Sequence, residues 1–211
     1  QTSPDDCEFR TRVFAVTSTE FVKKLVEENL LTGPFAAVDR INLFEDEAGV
    51  HISIVNPQNI IRTVLMDDEK YKNLADSRRQ ELRLSILKVI DSNKSDKQYG
   101  QFRNKGYIGR TMGVMAGGSF DGKVKDVATV NDELLSTTKK LVDQFESSNG
   151  KWSLKVAYQL IETDLNVAII GVTSAGIETK SFNIVKAGSD KERKDFKCPG
   201  IAHAGAYPME I

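Results

Sequence analysis

Leu43-Phe44-Glu45-Asp46-Glu47-Ala48-Gly49-Val50-His51-Ile52-Ser53-Ile54 has the form of a β-hairpin, two apolar-rich runs around an acidic turn that closes on glycine. A second segment has the same form: Leu160-Ile161-Glu162 leads through a short turn, Thr163 to Asn166, into Val167-Ala168-Ile169-Ile170-Gly171. Each follows a lysine-bearing apolar stretch, Lys23-Lys24-Leu25-Val26 and Lys139-Lys140-Leu141-Val142. Gly33 and Gly150, Glu45 and Glu162, and Val50 and Val167 all stand 117 residues apart, while Lys23 and Lys139 stand 116 apart. The odd residue falls in the helix-to-strand loop, where a fold absorbs it. The expectation is a duplicated unit.

Upstream of the first hairpin, Glu8 to Val16 reads as a mostly buried strand. Thr17 and Glu20 stand in capping-box register, and Phe21, Val22, Leu25, Val26 and Leu30 give the following helix one apolar face, which Gly33-Pro34 ends. From Phe35 the period becomes two, with Phe35, Ala37, Asp39, Ile41 and Leu43 on one parity. In the second copy Trp152 stands where Phe35 does in the first, and Tyr107 to Met115 supplies the leading strand.

The fold class expected is therefore α+β: a single domain over residues 1–211, built from two β-α-β-β units at about 8–67 and 107–185 with largely antiparallel sheet. Between them, Pro57 to Met66 forms a helix with proline in its first turn. A helical insertion at about 71–105 contains a longer helix, from Tyr71 to Ile90. Its apolar stripe is Leu74, Leu82, Ile86, Leu87 and Ile90, and Arg78, Arg79, Glu81, Arg83 and Lys88 are assigned to its solvent face. Asp91 to Lys105 is a polar connector. Ser181 to Val185 and Ala206 to Ile211 are further strand candidates.

Hydrophobic residues at 40% and charged residues at 28% describe an ordinary globular composition. With 29 basic against 30 acidic residues there is no net field to draw nucleic acid or an anionic membrane to the chain. No apolar stretch approaches the roughly 20 residues that span a bilayer. The start, Gln1-Thr2-Ser3-Pro4-Asp5-Asp6, is what removal of a secretory signal leaves, and equally what a truncated chain presents. The expected location is periplasmic or extracellular, with the cytoplasm as the alternative.

Cys7 and Cys198 lie near opposite ends. In an oxidising compartment they can bridge, stabilising the fold by on the order of 4–5 kcal/mol in the chain-entropy account; otherwise they are two unrelated thiols. Neither has metal-ligand spacing, so no metal site and no cofactor are expected.

Three constellations carry possible chemistry. Around Asn56-Pro57-Gln58-Asn59 a strand runs straight into a helix, and Asn56, Gln58 and the later Arg62 can bind a ligand there; the plainer reading is that Asn56 caps the helix. Arg110 leads the glycine-rich stretch to Gly122 and can pair with an anion, but no phosphate-loop motif is met, and a bent strand end explains the glycines. Cys198 and His203 share a loop of small residues, which suggests a nucleophile and a base, or a loop that packs close to the sheet. His51, inside an apolar strand, reads as a hydrogen-bonded structural residue.

At Val50-His51-Ile52-Ser53-Ile54-Val55-Asn56-Pro57, followed by Ile60 and Arg62, the chain resembles the strand, Asn-Pro, helix passage of the bacterial domain-of-unknown-function family 302. The resemblance extends over about Thr17 to Asp67, and the hairpin Lys151 to Val172 and the ending His203 to Ile211 are similar to two-part relatives. It implies an α+β fold in which two equivalent units join, and no chemistry. The leading functional expectation is an exported, non-enzymatic module that binds a small ligand or a protein partner around Asn56, Gln58, Arg62, Arg110 and His203. One alternative is a hydrolase or redox enzyme using Cys198 and His203; another is a structural or oligomerisation domain.

Overall fold

The computed structural model describes residues 7–65, 70–90, 120–147, 154–174, 176, 198 and 201–206. The elements follow in the order β1 (Thr11–Val16), α1 (Thr19–Glu28), a 3-10 turn (Gly33–Ala36), β2 (Asp39–Asp46), β3 (Gly49–Ile54), α2 (Pro57–Leu65) and α3 (Lys72–Val89). A 3-10 turn (Asp121–Lys123), α4 (Leu134–Ser147), β4 (Lys155–Glu162), a 3-10 turn (Thr163–Leu165), β5 (Val167–Thr173) and a last 3-10 turn (Ile201–Ala206) complete it. One sheet has the order β1-β2-β3, and β4 pairs with β5 in another. The protein is α+β.

The order helix, strand, strand occurs twice, as α1-β2-β3 and as α4-β4-β5. The strand expected to lead the second copy, Tyr107 to Met115, lies outside the described residues, as do Gly150, Trp152, the connector from Asp91 to Lys105, and Ser181 to Val185. The two hairpins close differently. Glu47-Ala48 alone joins β2 to β3, with Gly49 at a φ of 132° that suits glycine. Between β4 and β5 stand the turn Thr163–Leu165 and the left-handed Asn166, at φ 52°. The longer second turn moves the strand ends, so Glu162 closes β4 whereas Glu45 stands one residue inside β2. Ala206, expected to open a final strand, instead closes the last 3-10 turn.

By contact, the described residues fall into two units that interleave along the chain. One draws on Gln1–Ala15, Arg40–Ser53 and Thr129–Ile211, the other on Val16–Asp39 and Ile54–Ala128. The segment 8–67 contributes to both.

Within the part of β2 that belongs to the first unit, Asn42 and Phe44 are buried, each 1% exposed, while Ile41 and Leu43 on the opposite parity are half-buried. The β4–β5 ladder runs antiparallel from Lys155 opposite Thr173 to Glu162 opposite Val167, with an irregularity between Val156 and Tyr158. There the Tyr158 ring covers Gly171: a Cβ on Gly171 would stand 2.2 Å from the ring. The strand has glycine at that point because the aromatic ring fills the space a side chain would need. Helix α4 packs on both strands through a face centred on the buried Thr138, whose hydroxyl donates to the Leu134 carbonyl at 2.8 Å.

In the second unit, Ser18 caps α1 by accepting from the Phe21 amide at 3.3 Å, one residue beyond the expected Thr17. Thr17 is occupied elsewhere, donating its hydroxyl proton to the Ala37 carbonyl at 2.6 Å. Phe21, Val22 and Leu25 bury the expected face, each stabilising the fold by about 1.5–3 kcal/mol, while Leu30 lies past the helix end and is exposed. The expected strand from Phe35 is displaced: Gly33–Ala36 form a 3-10 turn, and β2 begins only at Asp39. Pro34 suits that turn because its φ is fixed and the first turn leaves its missing N–H unneeded. Gly33 lies so close to α1 that a Cβ would come 2.1 Å from the Leu25 carbonyl oxygen. Helices α2 and α3 pack together, and α2 also rests on the Gly33–Ala36 turn.

Candidate functional site

Helix α2 opens as its sequence dictates. The Asn56 side-chain oxygen accepts from the Gln58 amide at 3.1 Å and its carbonyl accepts from the Asn59 amide at 2.9 Å, so Asn56 acts as a cap and Pro57 takes the first helical position. Gln58 and Arg62, one turn apart, share the buried face of α2 with Ile61 and are 5% and 9% exposed. These three expected site residues thus belong to one helix start, with the carboxamide oxygen of Asn56 already engaged in capping. Arg110 lies outside the described residues. The backbone of His203 belongs to the turn Ile201–Ala206 in the first unit, and its side chain is outside the described set.

Sequence reasoning missed a buried cation in the second unit. Arg78, assigned to the wet face of α3, is buried. Its Nε donates to Asp39 Oδ2 at 2.7 Å, and its Nη1 donates to Ser18 Oγ at 3.3 Å and pairs with Glu81 at 2.8 Å. The guanidinium stands 4.6 Å from the centre of the Phe21 ring. Burial works to lower the Arg78 pKa, but Asp39 and Glu81 outweigh it and the group is held above its ordinary value. A guanidinium so held is a permanent cation that fixes three elements, the start of α1, the start of β2 and α3. It is no proton carrier.

A second knot ties the end of α1 to the start of α3. Glu28 pairs with Lys70 and accepts from the Tyr71 hydroxyl at 3.2 Å, and the Lys70 ammonium stands 4.8 Å from the Tyr71 ring centre. The hydrogen bond from Lys70 is the main cause that holds the Glu28 carboxyl below its ordinary value.

In the first unit, His51 has the hydrogen-bonded role expected of it: Nε2 lies 2.7 Å from Asp46 Oδ1, and the ring stacks on Phe44 with centroids 5.0 Å apart. Burial works to raise the Asp46 carboxyl, but His51 and the amides of Ala48 and Gly49 outweigh it and leave the carboxyl below its ordinary value. Cys7 and Cys198 are joined by a disulfide, with their Cα atoms 5.4 Å apart. Close by in sequence, Ile201 offers its carbonyl to the Asn42 side-chain amide at 3.0 Å, and the Thr11 hydroxyl donates to Asn42 Oδ1 at 2.7 Å. A buried polar chain thus runs from β1 through β2 to the C-terminal turn.

The second unit also carries apolar side chains in water where α1 gives way to the 3-10 turn. Leu30, Leu31 and Phe35 are 66%, 57% and 37% exposed, and Phe120 meets the Phe35 ring edge-on at 5.5 Å. Among the described residues no group of three or more His, Cys, Asp or Glu is placed to hold a metal ion, and no helix is long and apolar enough to cross a membrane. Comparison of the chain with protein-family models, curated proteins and solved structures finds no match in any of the three.

Proposed function

We propose that this chain is an exported, non-catalytic module that binds a protein partner or small ligand through its second unit. The observation that carries the binding half is the outcrop of Leu30, Leu31 and Phe35. Apolar side chains held in water are stabilised by being covered, and the Asp39–Arg78 pair and the Glu28 knot brace the elements that carry them.

Export is supported by the Cys7–Cys198 disulfide, because such bonds persist in oxidising compartments and are rare in most cytosolic proteins. The same bond weighs against a Cys198–His203 enzyme, since a bonded sulfur offers no thiolate to attack a substrate.

Thermal-shift screening against small anions, lipids and metabolites, run on the wild type and on a Leu30→Ser/Leu31→Ser variant, tests the reading. A compound that raises the wild-type melting temperature and leaves the folded variant unmoved supports it. No stabilisation by any compound, together with concentration-dependent association in light scattering that the variant abolishes, replaces it with an oligomerisation domain.

A further inference from the structure

The turn Ile201–Ala206 is held in the first unit by the burial of Ile201 and Ala204 and by two specific ties. One is covalent, the disulfide from Cys198 to Cys7 across 191 residues of chain. The other is the hydrogen bond from the Asn42 side-chain amide to the Ile201 carbonyl, with Ile201 and Ala204 buried, 1% and 5% exposed. The second tie is weak without the first. A single hydrogen bond exchanges for water at little net cost, and with the crosslink cut that bond and the burial of Ile201 must hold the turn against the freedom of the chain that follows β5, which ends at Thr173.

We propose that the Cys7–Cys198 disulfide is a redox latch, whose reduction by a dithiol frees the turn Ile201–Ala206 and uncovers the Asn42 side chain while the rest of the fold persists. The two cysteines are unequally exposed: Cys198 is 4% exposed, and Cys7 is half-buried. An incoming thiolate therefore attacks Cys7 Sγ, and the S–S bond breaks with its electron pair leaving on Cys198 Sγ, which takes up a proton. The reductant's second thiol, as its thiolate, then attacks the mixed disulfide; the reductant leaves as a cyclic disulfide and Cys7 is released as a thiolate that is protonated in turn. Two electrons and two protons pass from the dithiol to the protein.

Opening is local because of what stays behind. Asn42 remains in β2 and keeps its bond from Thr11 in β1, while the amide freed from Ile201 takes up water. The hydrogen bonds of the Asp46–His51 pair and of the β4–β5 ladder are made without the turn. The inference is independent of the binding surface on the second unit, and it gives the first unit a face that only the reduced protein presents.

Hydrogen exchange on the full chain, before and after complete reduction with dithiothreitol verified by thiol counting, tests the latch. Amides in Ile201–Ala206 are expected to exchange about tenfold faster or more after reduction, with those of α1, α3 and β5 unchanged. Unchanged protection of the turn overturns the proposal, and so does a simultaneous loss of protection everywhere, which marks the bond as a structural staple. An oxidised Asn42→Ala variant separates the ties: its turn is expected to stay protected, and release as large as that caused by reduction assigns the hold to the hydrogen bond instead.

Discussion

Arg78 donates through Nε to Asp39 Oδ2 at 2.7 Å, with the two side chains 4% and 2% exposed. Two charges withdrawn from water stabilise a fold only when each answers the other, so the pair is costly to break and cheap to replace whole. Asp39→Ala leaves the guanidinium buried beside Ser18 and Phe21 with the more exposed Glu81 as its remaining carboxylate, and we expect it to lower stability by about 3 kcal/mol in urea unfolding. Asp39→Leu combined with Arg78→Met is expected to recover most of that loss. A double variant as unstable as Asp39→Ala contradicts the assignment.

The Asp46–His51 pair predicts an acid-sensitive first unit. The Asp46 carboxyl lies below its ordinary value of 3.8 when folded, so its contribution is present above that pH and is lost as the pH falls through the lowered value. Denaturant midpoints measured from pH 6 to about pH 2 should fall at the acid end for the wild type. An Asp46→Asn variant should start lower and show a shallower acid decline. Parallel curves for the two proteins would assign the acid limb to other carboxylates.

Tyr158 and Gly171 predict a non-additive pair. Gly171→Val drives a side chain into the ring of Tyr158 and is expected to cost about 1–3 kcal/mol as an overpacked site. Adding Tyr158→Ala makes room, so the double variant should be more stable than the sum of the two single losses by about 1 kcal/mol. Thermal unfolding of the four proteins in a double-mutant cycle measures the coupling, and strict additivity would place the ring elsewhere.

The parts of the fold legible in the sequence were those with a strong period. The face of α1, with Phe21, Val22 and Leu25, and the hairpin either side of Asp46 to Gly49 follow directly from apolar spacing. The start of β2 did not, because the alternation through Phe35 and Ala37 mimics a strand, whereas Gly33-Pro34 starts a 3-10 turn that propensity alone does not reveal. Choosing Thr17 over Ser18 as the cap failed for a tertiary reason, the bond from Thr17 to Ala37.

The buried ion pair carried a signal that went unused. Arg78 stands four residues after Leu74 and four before Leu82, on the apolar stripe of α3 rather than opposite it, and Asp39 shares the parity of Phe35, Ala37 and Ile41. A carboxylate on an apolar parity requires a cation, and a cation on an apolar stripe requires a carboxylate. Among the described residues, the expected site residues Asn56, Gln58 and Arg62 meet at one helix, since their spacing is local to α2. Bringing Cys198 to Cys7 depends on contacts 191 residues apart, which no local period encodes.

The proposed exported, non-catalytic role depends most directly on the state of the two sulfurs. Peptide mapping by mass spectrometry without reductant, after alkylation of the unfolded chain, is predicted to find the Cys7 peptide linked to the Cys198 peptide and no alkylated cysteine. Cys198 recovered alkylated from protein purified under oxidising conditions would contradict it, and would return to the chain the free thiol that a Cys198–His203 enzyme requires.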